Sequence, residues 1–85
     1  MQNETITTEQ KLALREQEVA QYDEVISMLE DVIAEIDAGT EEERATMASY
    51  RSQQVQLLEA NRTQRLSAEM IRRALARRVA AEAAA

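Results

Sequence analysis

Gly39 is the only glycine in a chain that has no proline, and its surroundings constrain the fold more than any other stretch. It ends the run Ile36-Asp37-Ala38-Gly39; Thr40 follows at once, with Glu43 three residues later. Thr-x-x-Glu has the spacing of a capping box. There the threonine oxygen accepts an N–H of the new first turn and the glutamate accepts the cap's own N–H. Glu41, Glu42 and Glu43 also suit the positive end of a helix dipole. A glycine free to take the left-handed conformation just past one helix, then a cap opening the next, predicts a tight reversal between two helices. The charge changes at the same place. Residues 1–43 carry thirteen acidic side chains against Lys11 and Arg15, a net −11. Residues 44–85 carry Glu59, Glu69 and Glu82 against eight arginines, a net +5.

The expected fold is therefore all-α: an antiparallel two-helix hairpin with coiled-coil character, oligomerising or docking into a larger helical assembly. One domain spans residues 1–85, with a first helix over about 8–38, a turn at about 39–40 and a second helix over about 41–82. Abundant alanine, glutamate, glutamine and arginine favour helix, and strand-like runs of β-branched and aromatic residues are missing. Thr7 or Thr8 caps the first helix, Thr7 and Gln10 having capping-box spacing. The rival is one continuous rod through Gly39, since a central glycine costs only about 1 kcal/mol relative to alanine.

The seam of the first helix alternates by three and four through Val19, Tyr22, Ile26, Leu29, Ile33 and Ile36, the a/d pattern of a heptad. Projected backwards it reaches Arg15 and Leu12, while Val25 and Val32 widen it on one flank. On the second helix the candidate packing residues are Met47, Tyr50, Val55, Leu57 and Leu58, then Leu66, Met70, Ile71, Ala74, Leu75 and Val79. A polar window, Glu59 to Arg65, divides the two groups. Folding at Gly39–Thr40 sets Val25 against Val55, Tyr22 against Leu58 and Leu29 near Arg51. It also brings Glu18 to Arg62, Glu16 to Arg65, and Glu9 and Glu4 towards Arg72 and Arg77. Stripes wider than one seam, on a chain too short to bury much, point to further helical neighbours.

Catalytic chemistry is thinly represented. Without Cys or His the chain lacks the usual zinc ligands and the readiest acid–base group at neutral pH. Ser27, Ser49, Ser52 and Ser67 have no histidine to activate them, and no glycine-rich loop cradles phosphate. The carboxylate groups Glu30, Asp31 and Glu35, and Glu41 to Glu43, read as solvated helix faces. Met28, Met47 and Met70 read as ordinary packing residues more readily than as an adaptable groove. No catalytic residue, metal ligand or cofactor is expected.

Arg72, Arg73, Arg77 and Arg78 form the most basic patch and are the candidate anion contacts, for nucleic acid or an anionic membrane surface. They spread around the helix with no aromatic residue among them to stack on bases, and pairing with the acidic helix would leave that face near neutral. No stretch has the length of a membrane span. Met1-Gln2-Asn3-Glu4 does not open a signal peptide, so the expected place is the cytoplasm or a particle assembled in it.

From Tyr22 to Tyr50 the chain resembles the small subunit of exonuclease VII, through Leu29-Glu30, then Ile36-Asp37-Ala38-Gly39 at the turn, then Tyr50. The resemblance implies a short helical hairpin that binds a large subunit. Glu41 and Glu43 stand where that family usually has leucines, residues 1–21 precede the matching stretch, and no functional residue carries over. Three functions follow as expectations. The first is a non-enzymatic structural or adaptor subunit mediating protein–protein assembly, of which a virion or phage accessory protein is one instance. The second is a small regulatory subunit of a nucleic-acid enzyme. The third is an acidic inhibitor or nucleic-acid mimic, suggested by the first helix.

Overall fold

A computed structural model describes residues 5–85. It places three helices and no strand among them: α1 Thr8–Asp37, α2 Glu41–Thr46 and α3 Ala48–Ala84. Capping boxes open the first two. Thr7 Oγ1 accepts from the Gln10 N–H at 3.1 Å, and Gln10 Oε1 accepts from the Thr7 N–H at 2.9 Å. Thr40 and Glu43 repeat the arrangement at 3.1 and 2.8 Å. Each box satisfies two backbone donors that a helix start otherwise leaves to water.

Gly39 acts through space, not through a left-handed backbone. No described glycine has a positive φ, which corrects the expectation of a left-handed cap. Ala38 closes α1 at φ −81° and ψ −8°, and its N–H donates to the Ala34 carbonyl at 3.0 Å. The Gly39 N–H then donates to the Ile36 carbonyl at 3.2 Å, a tightened last turn. A Cβ at this position would lie 3.1 Å from Glu43 Oε1 and 3.3 Å from both Glu43 Cβ and the Ile36 carbonyl oxygen. Glycine leaves room for the glutamate that completes the cap.

The helix expected to run unbroken from Glu41 is divided at Met47, whose φ of −93° and ψ of 4° depart from helical values. Backbone bonds still cross the division, from Met47 N–H to Glu43 O at 2.9 Å and from Arg51 N–H to Met47 O at 2.8 Å. The chain therefore bends there without losing its ladder. Six residues of helix rise about 9 Å, close to the ~8–10 Å between packed helix axes. That length suits α2 to carry the chain from the line of α1 to the line of α3. Arg44 Nη1 donates to the Gly39 carbonyl at 2.5 Å and ties α2 back to the corner.

Side-chain contacts between α1 and α3 run from Asp37–Arg51 beside the corner, through Glu30–Arg62, Asp23–Arg65 and Tyr22–Gln64, to Thr8–Glu82 at the far end. Partner numbers fall along α1 as they rise along α3. The register differs from the one expected. Arg62 meets Glu30 in place of Glu18, Arg65 meets Asp23 in place of Glu16, and Arg51 meets Asp37 in place of the Leu29 region. Tyr22 bonds Gln64 in place of meeting Leu58. The shift amounts to roughly two helical turns. Its cause is α2: the chain uses Glu41–Thr46 before α3 can begin. The approach of Glu4 to Arg77 lies outside the described residues.

The molecule is long and thin. Its radius of gyration is 19.1 Å, against ~12 Å for a compact domain of this length. The principal extents are 63 × 32 × 14 Å. The smallest is close to the ~10–12 Å width of one helix with its side chains, so the helices form a single layer with neither face covered. Among the described residues only Val19, Leu58 and Ala68 are buried. Among the described residues no helix is long and apolar enough to cross a membrane.

Replacing Thr40 with Ala removes the acceptor of the second capping box. Urea unfolding followed by circular dichroism is expected to show a loss of ~0.5–2 kcal/mol, with the helices otherwise retained.

Candidate protein–protein interface

The contacts between α1 and α3 follow heptads on both helices. On α1 the half-buried or buried positions include Leu12, Arg15, Val19, Tyr22, Ile26, Leu29, Ile33 and Ile36. On α3 they include Arg51, Gln54, Leu58, Asn61, Arg65, Ala68, Arg72, Leu75 and Val79, again alternating by three and four. The α1 seam is mainly apolar; that of α3 alternates arginine and amide with aliphatic residues. Arginine can occupy such a seam because its methylene stem lies along apolar surface while its head reaches water. The side chains of Arg51, Arg65 and Arg72 are 42%, 36% and 29% exposed, against 54%, 62% and 62% for Arg62, Arg73 and Arg78. The arginines in the seam are the more covered set.

Their heads are fixed by carboxylates. Arg51 grips Asp37 with two bonds, Nε–Oδ1 at 2.7 Å and Nη2–Oδ2 at 3.0 Å, a bidentate geometry stronger than a single contact. The hydrogen bond from Arg51 holds the Asp37 carboxyl below its usual range. Arg65 pairs with Asp23, a bond that raises the pKa of the guanidinium. Arg72 turns to Glu69 on its own helix at 2.6 and 2.9 Å, and Arg73 adds a bond to the same carboxylate at 3.0 Å. The Arg72 hydrogen bond, supported by Arg73, draws Glu69 down to about 2. At the corner, the Thr40 backbone N–H lowers Glu43.

The two flanks of this seam differ. Asp23, Glu30 and Asp37 recur every seven residues on one flank of α1 and meet Arg65, Arg62 and Arg51. On the other flank of α3 stand Tyr50, Leu57 and Ile71, with Gln64 at the fourth heptad position. These three apolar residues are 44%, 49% and 43% exposed. On the same side of α1 lie Leu14, Val25 and Met28, at 54%, 40% and 66%. A shallow groove joins Leu14 to Ile71 and Leu75, and another joins Tyr22 and Val25 to Asn61. One flank is thus closed by ion pairs, and the other presents uncovered apolar side chains.

The residues singled out in the sequence are distributed accordingly. Leu12, Val19, Tyr22, Ile26, Leu29, Val32, Ile33, Ile36, Val55, Leu58, Leu75 and Val79 are buried or half-buried. Val25, Met47, Tyr50, Leu66, Met70 and Ile71 are exposed. Gly39, Thr40 and Glu43 meet at the corner. Arg72 and Arg73 share Glu69, Arg78 lies 3.9 Å from Glu82, and Arg77 makes no ion pair with a described residue. The apolar pattern does not reach Gln54 and Asn61, and it places Arg51 and Arg65 as partners of α1 without placing them in the seam. The signal that finds them is the pair of heptad rows, Arg51-Leu58-Arg65-Arg72-Val79 and Gln54-Asn61-Ala68-Leu75. Among the described residues no group of three or more His, Cys, Asp or Glu is arranged to hold a metal ion.

The lowered carboxyls make stability acid-sensitive. Each is held below its unfolded value, so its contribution is complete above that value, 4.5 for Glu69, and is lost as pH falls through the folded value of about 2. The urea midpoint is expected to drop progressively over that window, and Glu69→Gln to flatten its lower part. No protein-family model, curated protein or solved structure matches this chain.

Proposed function

We propose that this chain is a non-enzymatic structural or adaptor subunit, an antiparallel helical hairpin that acts by packing against other protein surfaces. The observation that carries this reading is the asymmetry of its two flanks. A layer one helix thick carries its three ion pairs between α1 and α3 along one flank and leaves Tyr50, Leu57, Ile71, Leu14, Val25 and Met28 exposed along the other. The hairpin topology is supported by the contacts at both ends of the helix pair, Asp37–Arg51 and Thr8–Glu82.

The accessible surface of 6535 Å² points the same way. A compact monomer of this mass exposes only about 5,100 Å². The difference reflects the long, thin shape, which leaves more surface to water than a compact domain of this mass would. Glu69 and Asp37, whose carboxyls are held below their usual range, are paired to arginines at the surface, as structural ion pairs are, and the grooves between the helices are open. Two of the four candidate anion-contact arginines are engaged by Glu69. That weighs against a nucleic-acid contact as the main role.

Circular dichroism melts at a series of chain concentrations test the reading. The expected result is a melting temperature that rises with concentration or on addition of a cognate protein partner. A helical chain with a high, concentration-independent melt and no protein partner would overturn it. Anisotropy of labelled single- and double-stranded DNA and RNA is expected to stay flat at low salt. Salt-dependent binding abolished by Arg72, Arg73, Arg77 and Arg78→Glu would transfer the assignment to a nucleic-acid enzyme subunit.

A further inference from the structure

The acids of α1 are spaced so that α3 can pair with them in more than one alignment. We propose that the hairpin is a two-position device, in which α3 also pairs with α1 one heptad away from the register described above. In that second position α2 is straightened onto the start of α3, and the C-terminal end of α3 is carried out past the start of α1. The device goes beyond the subunit reading and does not depend on it.

Acids stand at every seventh residue of α1: Glu9, Glu16, Asp23, Glu30 and Asp37. In the first position the last three meet Arg65, Arg62 and Arg51. Glu16 lies near enough to Arg72 to act on its charge, but Arg72 bonds Glu69 instead. Glu9 makes no ion pair with a described residue. A slip of seven residues keeps the same faces of both helices in contact and moves each arginine one rung along. Arg51 then falls to Glu30, Arg62 to Asp23, Arg65 to Glu16 and Arg72 to Glu9, and Arg44 comes level with Asp37. Every acid of the row has a partner there.

The corner can supply such a slip. The pairs Asp37–Arg51 and Asp23–Arg65 are both centred on Arg44, inside α2. Pairs displaced by seven are centred between Thr40 and Glu41, so the reversal falls to the link Ala38–Thr40. Three extended residues span up to ~10 Å, about the distance between packed helix axes. The six residues of α2 and Met47 after them make one heptad. The helical ladder already passes through Met47, by the bonds to Glu43 and from Arg51. Straightening returns one residue to helical angles and breaks none of these bonds.

Two opposed forces separate the positions. Charge pairing favours the second. Apolar contact favours the first, where Leu12 is level with Leu75 and Leu29 with Leu58. In the second, Leu58 moves to Tyr22, while Leu75 and Val79 project beyond Thr8 with no part of α1 beside them. Salt screens exposed ion pairs and leaves apolar packing in place, so it shifts the balance towards the first.

The chain has no cysteine, so spin labels can be placed at Ala13→Cys and Gln56→Cys, exposed positions outside the seam. The slip brings these sites closer along the helix axis by about 10 Å, the rise of seven residues. Pulsed electron-spin distance measurement is expected to give a main distance and a second, shorter one whose fraction falls as salt rises. Leu75→Ala removes a contact of the first position only and is expected to enlarge the shorter fraction. Glu9→Lys removes a pair of the second position only and is expected to shrink it. Met47→Pro, which prevents a continuous helix across the corner, is expected to abolish it. A single distance at low salt in both the parent chain and Leu75→Ala overturns the proposal. Should Leu75→Ala lose its helical circular dichroism, Met47→Ala, which favours the continuous helix, takes its place. A shorter distance that vanishes on dilution with unlabelled chain arises between molecules and overturns the proposal as well.

Discussion

The ion pairs that reach from α3 to α1, Arg51–Asp37, Arg62–Glu30 and Arg65–Asp23, are the contacts on which the rest of this structure depends. A short chain without proline, tryptophan, phenylalanine or cysteine has few ways to hold two helices together. Here Arg51, Arg65 and Arg72 are half-buried along the α3 seam; Arg51 and Arg65 reach across to Asp37 and Asp23 on α1, and Arg72 turns to Glu69 on its own helix. Each such exposed pair contributes modestly, because water and salt screen it. Their value lies in position. A purely aliphatic seam would accept several alignments of similar energy, but a charged head that must find its carboxylate accepts few.

The corner sets where those alignments fall. Two capping boxes, a glycine with no side chain to obstruct Glu43, and a six-residue helix ending at Met47 form one unit. Because α2 takes up chain before α3 starts, the acidic partners of α3 lie nearer the end of α1 than a two-residue link would put them. The polar flank follows from that displacement. Asp23, Glu30 and Asp37 come within reach of basic residues, while the earlier acids Glu16 and Glu18 do not meet Arg65 and Arg62; Glu18 pairs with Arg15 instead.

How much of this was legible in the sequence depended on whether the signal was local. The caps at Thr7 and Thr40 were, because a hydroxyl and a carboxamide or carboxylate three residues apart interact without help from elsewhere. The α1 seam from Leu12 to Ile36 was legible too, since its residues are mostly apolar and regularly spaced. The α3 seam was obscured because Arg51, Gln54, Asn61, Arg65 and Arg72 are polar by composition and half-buried by geometry. Meanwhile Tyr50, Met70 and Ile71, which look like packing residues, stay exposed. The register was missed because it depends on the path of α2, and nothing in Glu41–Thr46 announces a separate helix. The left-handed Gly39 was a general preference of glycine that a steric need replaced.

The ordering of contacts along the layer bears on how the chain finds its structure. Asp37 and Arg51 are 14 residues apart, whereas Thr8 and Glu82 are 74 apart. Bringing the nearer pair together requires closing a short loop, and each later pair then extends what is already aligned. Such a chain zips outward from its corner, and local topologies of this kind fold quickly. Lengthening the link at the corner would slow that first closure and delay every contact that follows it.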